Sequence, residues 1–196
     1  IFGSKEFFSM RFAINEFVLD PRPESEILVE KALDLIQENN FKSILELGVG
    51  SGCIIAAILI NSIGTKAVGV DISEQAIMTA KSNLIKNGIK NFDLVVSDWG
   101  LSLNRTFDII ISNPPYIETN EIKNLNKNVK DHDPLISLDG GVDGLDCYRV
   151  IANQSTHLIN DKGYILVEIG HDQAKGVEKI FGNNDFLLTN KVKDYS

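Results

Sequence analysis

Cysteine is almost missing from this chain. Cys53 and Cys147 are the only two, too few to staple a disulfide scaffold, so a reducing, cytoplasmic setting is expected. No uninterrupted apolar run approaches the roughly 20 residues that a bilayer-crossing helix needs, and no segment has the make-up of a signal peptide. A membrane span is therefore not expected. Histidine is as scarce. His132, His157 and His171 stand apart, with no cysteine or carboxylate at the spacing of a metal cage, so no metal is expected. Positive charge is in deficit too, with 19 Lys and Arg against 27 Asp and Glu and a formal net charge of −8. Proteins that live on phosphate contacts normally carry a basic face, because counterion release supplies much of their affinity. Direct nucleic-acid binding is disfavoured, and a small molecule or a basic protein partner fits better. The chain opens on Ile1 rather than Met, which leads us to expect an upstream portion.

What is present is ordinary for one compact α/β domain: 196 residues, 43% hydrophobic and 23% charged. Residues Ile1 to Asp20, rich in phenylalanine, read as an irregular or hairpin-like lead-in, and residues 21–196 as the main domain. Pro21-Arg22-Pro23 blocks helix just before a pattern that places Leu28, Ala32, Leu35 and Ile36 on one helical face. Apolar runs follow at Ser43 to Leu47, Lys66 to Val70, Phe92 to Ser97, Phe107 to Ser112 and Tyr164 to Ile169. They are continuous rather than alternating, as expected of strands buried on both faces of a parallel sheet. Helical patterns lie at Cys53 to Asn61, Glu74 to Asn87 and Tyr148 to Ile159. The alternation predicts a doubly wound α/β fold, a mostly parallel sheet flanked by helices. Tyr116 to Gly144 breaks the rhythm, and a long irregular segment in a compact domain is functional or disordered. Its lysines at 123, 127 and 130 read as a solvated face.

Chemistry enters at the first strand end. Glu46-Leu47-Gly48-Val49-Gly50-Ser51-Gly52 precedes an apolar helix, and its glycines allow positive φ and close approach of a ligand to backbone. The place is where open α/β sheets bind ligands. A dinucleotide site wants G-x-G-x-x-G with its pyrophosphate on the helix N-terminus, but Cys53 stands where the third glycine would fall. An acidic Glu46 also suits the cationic sulfonium and ammonium of S-adenosylmethionine better than a pyrophosphate. Asp71, at the second strand end, could bond ribose hydroxyls of either cofactor, or cap the helix that follows. Asp98 could bond an adenine amino group, and the Trp99 indole could lie near the ring.

The fourth strand runs into Asn113-Pro114-Pro115-Tyr116. Two prolines stiffen this corner and remove amide donors, so it offers acceptors and few donors. That suits a substrate –NH2 group, which brings two donors. Asn113 and the Pro114 carbonyl are read as orienting acceptors, with Tyr116 packing against the planar group and no obligatory general base. An amide nitrogen is a poor nucleophile, so positioning and stabilisation of developing charge must carry the reaction.

With Asp20-Pro21-Arg22-Pro23-Glu24-Ser25-Glu26, Gly140-Gly141 to Gly144-Leu145 and Glu168-Ile169-Gly170 added in order, the chain resembles the HemK-type methyltransferases. These modify the glutamine N5 of the Gly-Gly-Gln motif in peptide-chain release factors. The resemblance implies a class I, Rossmann-like methyltransferase fold with S-adenosylmethionine as cofactor, S-adenosylhomocysteine as product and a release factor as protein partner. It places cofactor contacts on Gly48 to Gly52, Asp71, Trp99 and Asn113. It places substrate contacts on Asn113, Pro114, Pro115 and Tyr116, with Phe12 against the glutamine. Members also carry an N-terminal helical domain and a final strand beyond the equivalent of Asp194-Tyr195-Ser196, and have Tyr-Glu-Pro near Asp133-Pro134. Rival readings are a glutamine methyltransferase of a ribosomal protein, an adenine N6 DNA methyltransferase, which would flip its base, and a silent S-adenosylmethionine-binding domain.

Overall fold

The computed structural model describes residues 3–125 and 133–193, so Lys127, Lys130 and His132 lie outside it. Two antiparallel strands, β1 (Gly3–Phe7) and β2 (Met10–Ile14), open the chain. Their two-residue turn, Phe8-Ser9, has φ of 49° and 61°, the left-handed pair that matches the twist of a hairpin. The Pro23–Ser25 turn then leads into α1 (Glu26–Asn39).

The body is a five-stranded parallel sheet in the order β5-β4-β3-β6-β7. Its strands are β3 (Ser43–Leu47), β4 (Lys66–Asp71), β5 (Phe92–Val96), β6 (Phe107–Ser112) and β7 (Ile159–Val167). The helices α2 (Cys53–Asn61) and α3 (Glu74–Lys86) join α1 on one face, packed around Ile44, Ile109 and Ile111. The other face, Leu45, Leu47, Val68, Val70 and Ile110, meets α4 (Asp146–Leu158) through Ile151 and Leu158, and Phe181 of α5 (Ala174–Gly182). Successive strand residues point to opposite faces, which divides Ile44 from Leu45 between the two layers. Among the described residues no helix is long and apolar enough to cross a membrane.

Two expectations need correction. Only β3, β4 and β6 are buried on both faces; β5 and β7 are the sheet margins, and Val96 is 49% exposed. A margin strand has a neighbour on one side only, so its apolar run covers less than its composition suggests. β7 begins at Ile159, well before Tyr164, because Asp161 and Lys162 sit in an irregularity of the β6–β7 register. The second end-of-chain helix, α5, had no sequence reading, although only Val177 of it is fully buried.

Candidate active site

The sheet reverses direction at β3: the chain moves outward through β4 to β5, then crosses back to β6 on the other side. Open α/β sheets bind ligands at such a reversal, outside the carboxyl ends of the strands. A cavity of about 280 Å³ opens there, near the lower end of small-molecule sites. It is lined by Glu46, Gly48, Val49, Gly50 and Ser51 after β3, by Asp71 ending β4, by Asp98 and Trp99 after β5, and by Asn113 and Pro115 after β6.

Four expected residues do not line it. Phe12 is fully buried, with its ring edge-on to Phe7 at 6.4 Å between centroids. The alternation of β2 turns it into the core that the hairpin shares with α1 and α2, away from the cavity. Gly52 has φ +79°, and a Cβ there would sit 3.2 Å from that of Ala80. Its bare backbone lets α2 approach α3. Pro114 is buried and Tyr116 half-buried. The main chain of Tyr116 lies so close to Gly140 and Gly144 that a Cβ on either would come within 2.8 Å of it, which accounts for the glycines of that loop.

At Gly48 and Gly50, by contrast, a Cβ would meet nothing within 4 Å. The loop is an open cradle with positive φ. The Gly50 amide donates to Asp71 Oδ2 (3.0 Å) and the Ser73 amide to Asp71 Oδ1 (3.0 Å), while Ser73 itself caps α3. Asp71 thus ties the loop to β4, and burial pushes its carboxyl above the usual range. Glu46 is 2% exposed and accepts from the Ile55 amide at the start of α2 (3.2 Å). Burial raises its carboxyl well above the ordinary value; the Ile55 bond opposes that and the Asp71 charge adds to it. The helix N-terminus that would hold a pyrophosphate is already occupied by a carboxyl group of the protein. Asp98 is exposed, and Trp99, with φ 50°, is half-buried against the Leu45 side of the core.

The side chain of Asn113 donates through Nδ2 to Ser25 Oγ (2.9 Å), and Ser25 Oγ donates to Glu168 Oε2 (2.6 Å). Both lie in segments that carry the resemblance, and Glu168 reads from sequence as a supporting carboxylate rather than a catalyst, but no spacing rule links either to Asn113. Arg22 lines the cavity and pairs with Asp133, whose side chain is 4% exposed, fastening the Asp20–Arg22 segment to the loop before Pro134. Cys53 and Cys147 also line it. Burial pushes their thiols up to about 12 and about 11, so neither is a thiolate nucleophile at neutral pH. Among the described residues no cluster of His, Cys, Asp or Glu could hold a metal.

Comparison with known proteins bears on this crevice. The family described as "Methyltransferase small domain" matches residues 23–130. A release factor glutamine methyltransferase of Agrobacterium fabrum is 39% identical over 200 residues, covering 100% of this chain and 69% of the relative. One of Thermodesulfovibrio yellowstonii is 40% identical, covering 99% and 71%. Among solved structures, a ribosomal protein L11 methylase from Lactobacillus delbrueckii subsp. bulgaricus superimposes with a TM-score of 0.68 at 16% identity, covering 90% of this chain and 76% of that one. A SAM-dependent methyltransferase from Agrobacterium tumefaciens gives 0.64 at 14%, covering 93% and 57%. The sheet and its helices therefore have the fold of the S-adenosylmethionine-dependent methyltransferases.

Proposed function

This chain belongs to the release factor glutamine methyltransferases, and on that premise we propose that it methylates the side-chain amide nitrogen (N5) of the glutamine in the Gly-Gly-Gln motif of peptide-chain release factors, with S-adenosylmethionine as cofactor. Residues 21–196 serve as the catalytic unit, with the hairpin of residues 3–14 packed on it.

The residues present fit the cofactor. Gly48 and Gly50 leave the backbone bare where a ligand can lie against it, and Glu46 and Asp71 offer carboxyl groups where a cation and ribose hydroxyls would be held. Asp98 and Trp99 also line the cavity, suited to an adenine. When bound, S-adenosylmethionine supplies an electrophilic methyl carbon on a positively charged sulfur. Burial raises the Glu46 carboxyl above its ordinary range, and a positive charge beside it would favour its ionised form.

The observation that carries the reading is the commitment of Asn113 Nδ2 to Ser25. Among the described residues no hydrogen bond engages Oδ1, so the acceptor end of the carboxamide is the one assigned to the substrate. A glutamine –NH2 offers two N–H bonds; Asn113 Oδ1 supplies one acceptor, and the Pro114 carbonyl, which lies outside the cavity lining, is assigned as the second. Pro115 keeps that corner stiff. In the transfer the methyl–sulfur bond would break as the nitrogen–carbon bond forms, with S-adenosylhomocysteine as the leaving group, and acceptors fixed in advance would stabilise the positive charge gained by the nitrogen. One N–H proton then passes to water, leaving a neutral methylamide, so no general base is assigned. Charge favours a protein substrate over DNA, because the net charge of −8 works against phosphate contacts.

The test is mass spectrometry of a release factor incubated with the enzyme and S-adenosylmethionine. The expected result is a gain of about 14 mass units, one methyl, on the glutamine of the Gly-Gly-Gln motif. Methylation confined to a ribosomal protein or duplex DNA would overturn the substrate assignment.

A further inference from the structure

We propose that Ser25 and Glu168 are positioning residues that determine which end of the Asn113 carboxamide faces the substrate, an inference that rests on the glutamine reading above. A carboxamide presents an acceptor at one end and a donor at the other, and the two ends have nearly the same shape. Sterics alone do not choose between them. Hydrogen counting does.

Glu168 follows β7 directly. Its amide donates to the Ser112 carbonyl (3.0 Å), and its own carbonyl accepts from the Tyr148 hydroxyl (2.8 Å). The residue is thereby held in register beside Asn113. Ser25 is 3% exposed and ends the Pro23–Ser25 turn. A carboxylate has no hydrogen to give, so the single hydroxyl hydrogen of Ser25 goes to Glu168 Oε2. Ser25 Oγ is left with lone pairs only, and Asn113 must bring Nδ2 to it. The polarity runs one way: carboxylate, hydroxyl, carboxamide, substrate. Reversing the carboxamide would set lone pair against lone pair at Ser25 and N–H against N–H at the glutamine. An unsatisfied or opposed polar group in such a site is costly.

The replacement Glu168→Gln removes the constraint. Its amide can donate to Ser25 Oγ, the Ser25 hydroxyl can donate to Asn113 Oδ1, and the carboxamide turns its NH2 towards the crevice. The expected result is a fall in kcat on the order of 100-fold, with S-adenosylmethionine affinity and Tm close to the parent. Ser25→Ala leaves Asn113 unbiased, so its loss is smaller, and Ser25→Thr, which keeps the hydroxyl, recovers most of that activity. The decisive measurement is the double variant. With no hydroxyl to transmit the reversal, Glu168→Gln combined with Ser25→Ala should be several-fold more active than Glu168→Gln alone. Losses that simply multiply, or a Glu168→Gln enzyme with parental kcat, would overturn the proposal. The orientation can also be read without turnover, by NMR contacts between the Asn113 carboxamide protons and the Ser25 side chain. They are expected in the parent and lost in Glu168→Gln; their absence from the parent refutes the positioning role. An unmethylated release factor alongside intact contacts counts only against the substrate.

Discussion

Gln173 Nε2 donates to the carbonyl oxygen of Tyr116 at 2.8 Å, joining the loop after β7 to the end of the Asn-Pro-Pro-Tyr corner. The same nitrogen donates to the Gly144 carbonyl (3.1 Å), and Oε1 accepts from the Gly170 amide (3.0 Å). One side chain therefore ties the loop after β7 to two points of the segment between β6 and α4. Replacing it with alanine should cost about 1–3 kcal/mol, the price of leaving partly buried carbonyls unmet. Gln173→Glu should cost more, because it turns an acceptor towards two acceptors. Urea denaturation of both variants checks the order, and a Gln173→Glu protein as stable as the parent would contradict it.

Asn83, 1% exposed, accepts from the Ala13 amide (2.8 Å) and donates to the carbonyls of Ala13 (3.0 Å) and Ser51 (2.9 Å). It bolts the N-terminal hairpin to the glycine loop. Asn83→Ala is expected to lower stability by roughly 2–3 kcal/mol and to weaken cofactor affinity through the freed Ser51. Asn87→Ala, whose bond to the Arg11 carbonyl lies at the surface, should cost less than about 1 kcal/mol. Denaturant midpoints and calorimetric titration of both proteins measure the difference.

Glu46 gives a pH dependence with a definite sign. Its carboxyl is raised well above the ordinary value, chiefly by burial. Between that ordinary value, about 4.3, and the raised one, the folded chain binds more protons than the unfolded. Stability associated with this group is complete below the lower value and is lost as pH rises through the higher. Glu46→Gln should therefore flatten the decline and stabilise the ligand-free protein at pH about 8, while weakening S-adenosylmethionine binding. Thermal melts at several pH values, paired with a binding titration, decide both halves. A variant less stable at alkaline pH would reverse the assignment.

Asn113 and Asp71 should separate chemistry from binding. Asn113→Ala is expected to lower kcat on the order of 100-fold or more, with the cofactor Kd changed by less than about threefold. Asp71→Ala should raise that Kd by about tenfold or more, because it removes a charged acceptor and the anchor of the Gly50 amide. Kinetics and calorimetry on the two variants measure it, and a parental kcat in Asn113→Ala would remove that side chain from the reaction.

Much of this was legible from residue order, for local reasons. The buried strands β3 and β6 begin and end where their largely apolar runs do, because a strand covered by helices on both faces is mostly apolar. Glu46, Gly48, Asp71, Asp98 and Asn113 each stand at a strand end, and a parallel sheet brings all such ends to one edge. The packing of Phe12 against Phe7 was not legible, because an aromatic that fills a core looks the same in sequence as one that waits for a ligand.

By itself, then, the order of residues determined the alternation of layers and the strand-end stations of the site, since both follow from short-range periodicity and chain direction. Only the tertiary structure decided which way Asn113 presents its carboxamide. That depends on Ser25 and Glu168, which lie 88 residues from Asn113 and 143 residues from Ser25 in sequence. A hydrogen bond acts over about 3 Å, a distance that sequence separation does not encode.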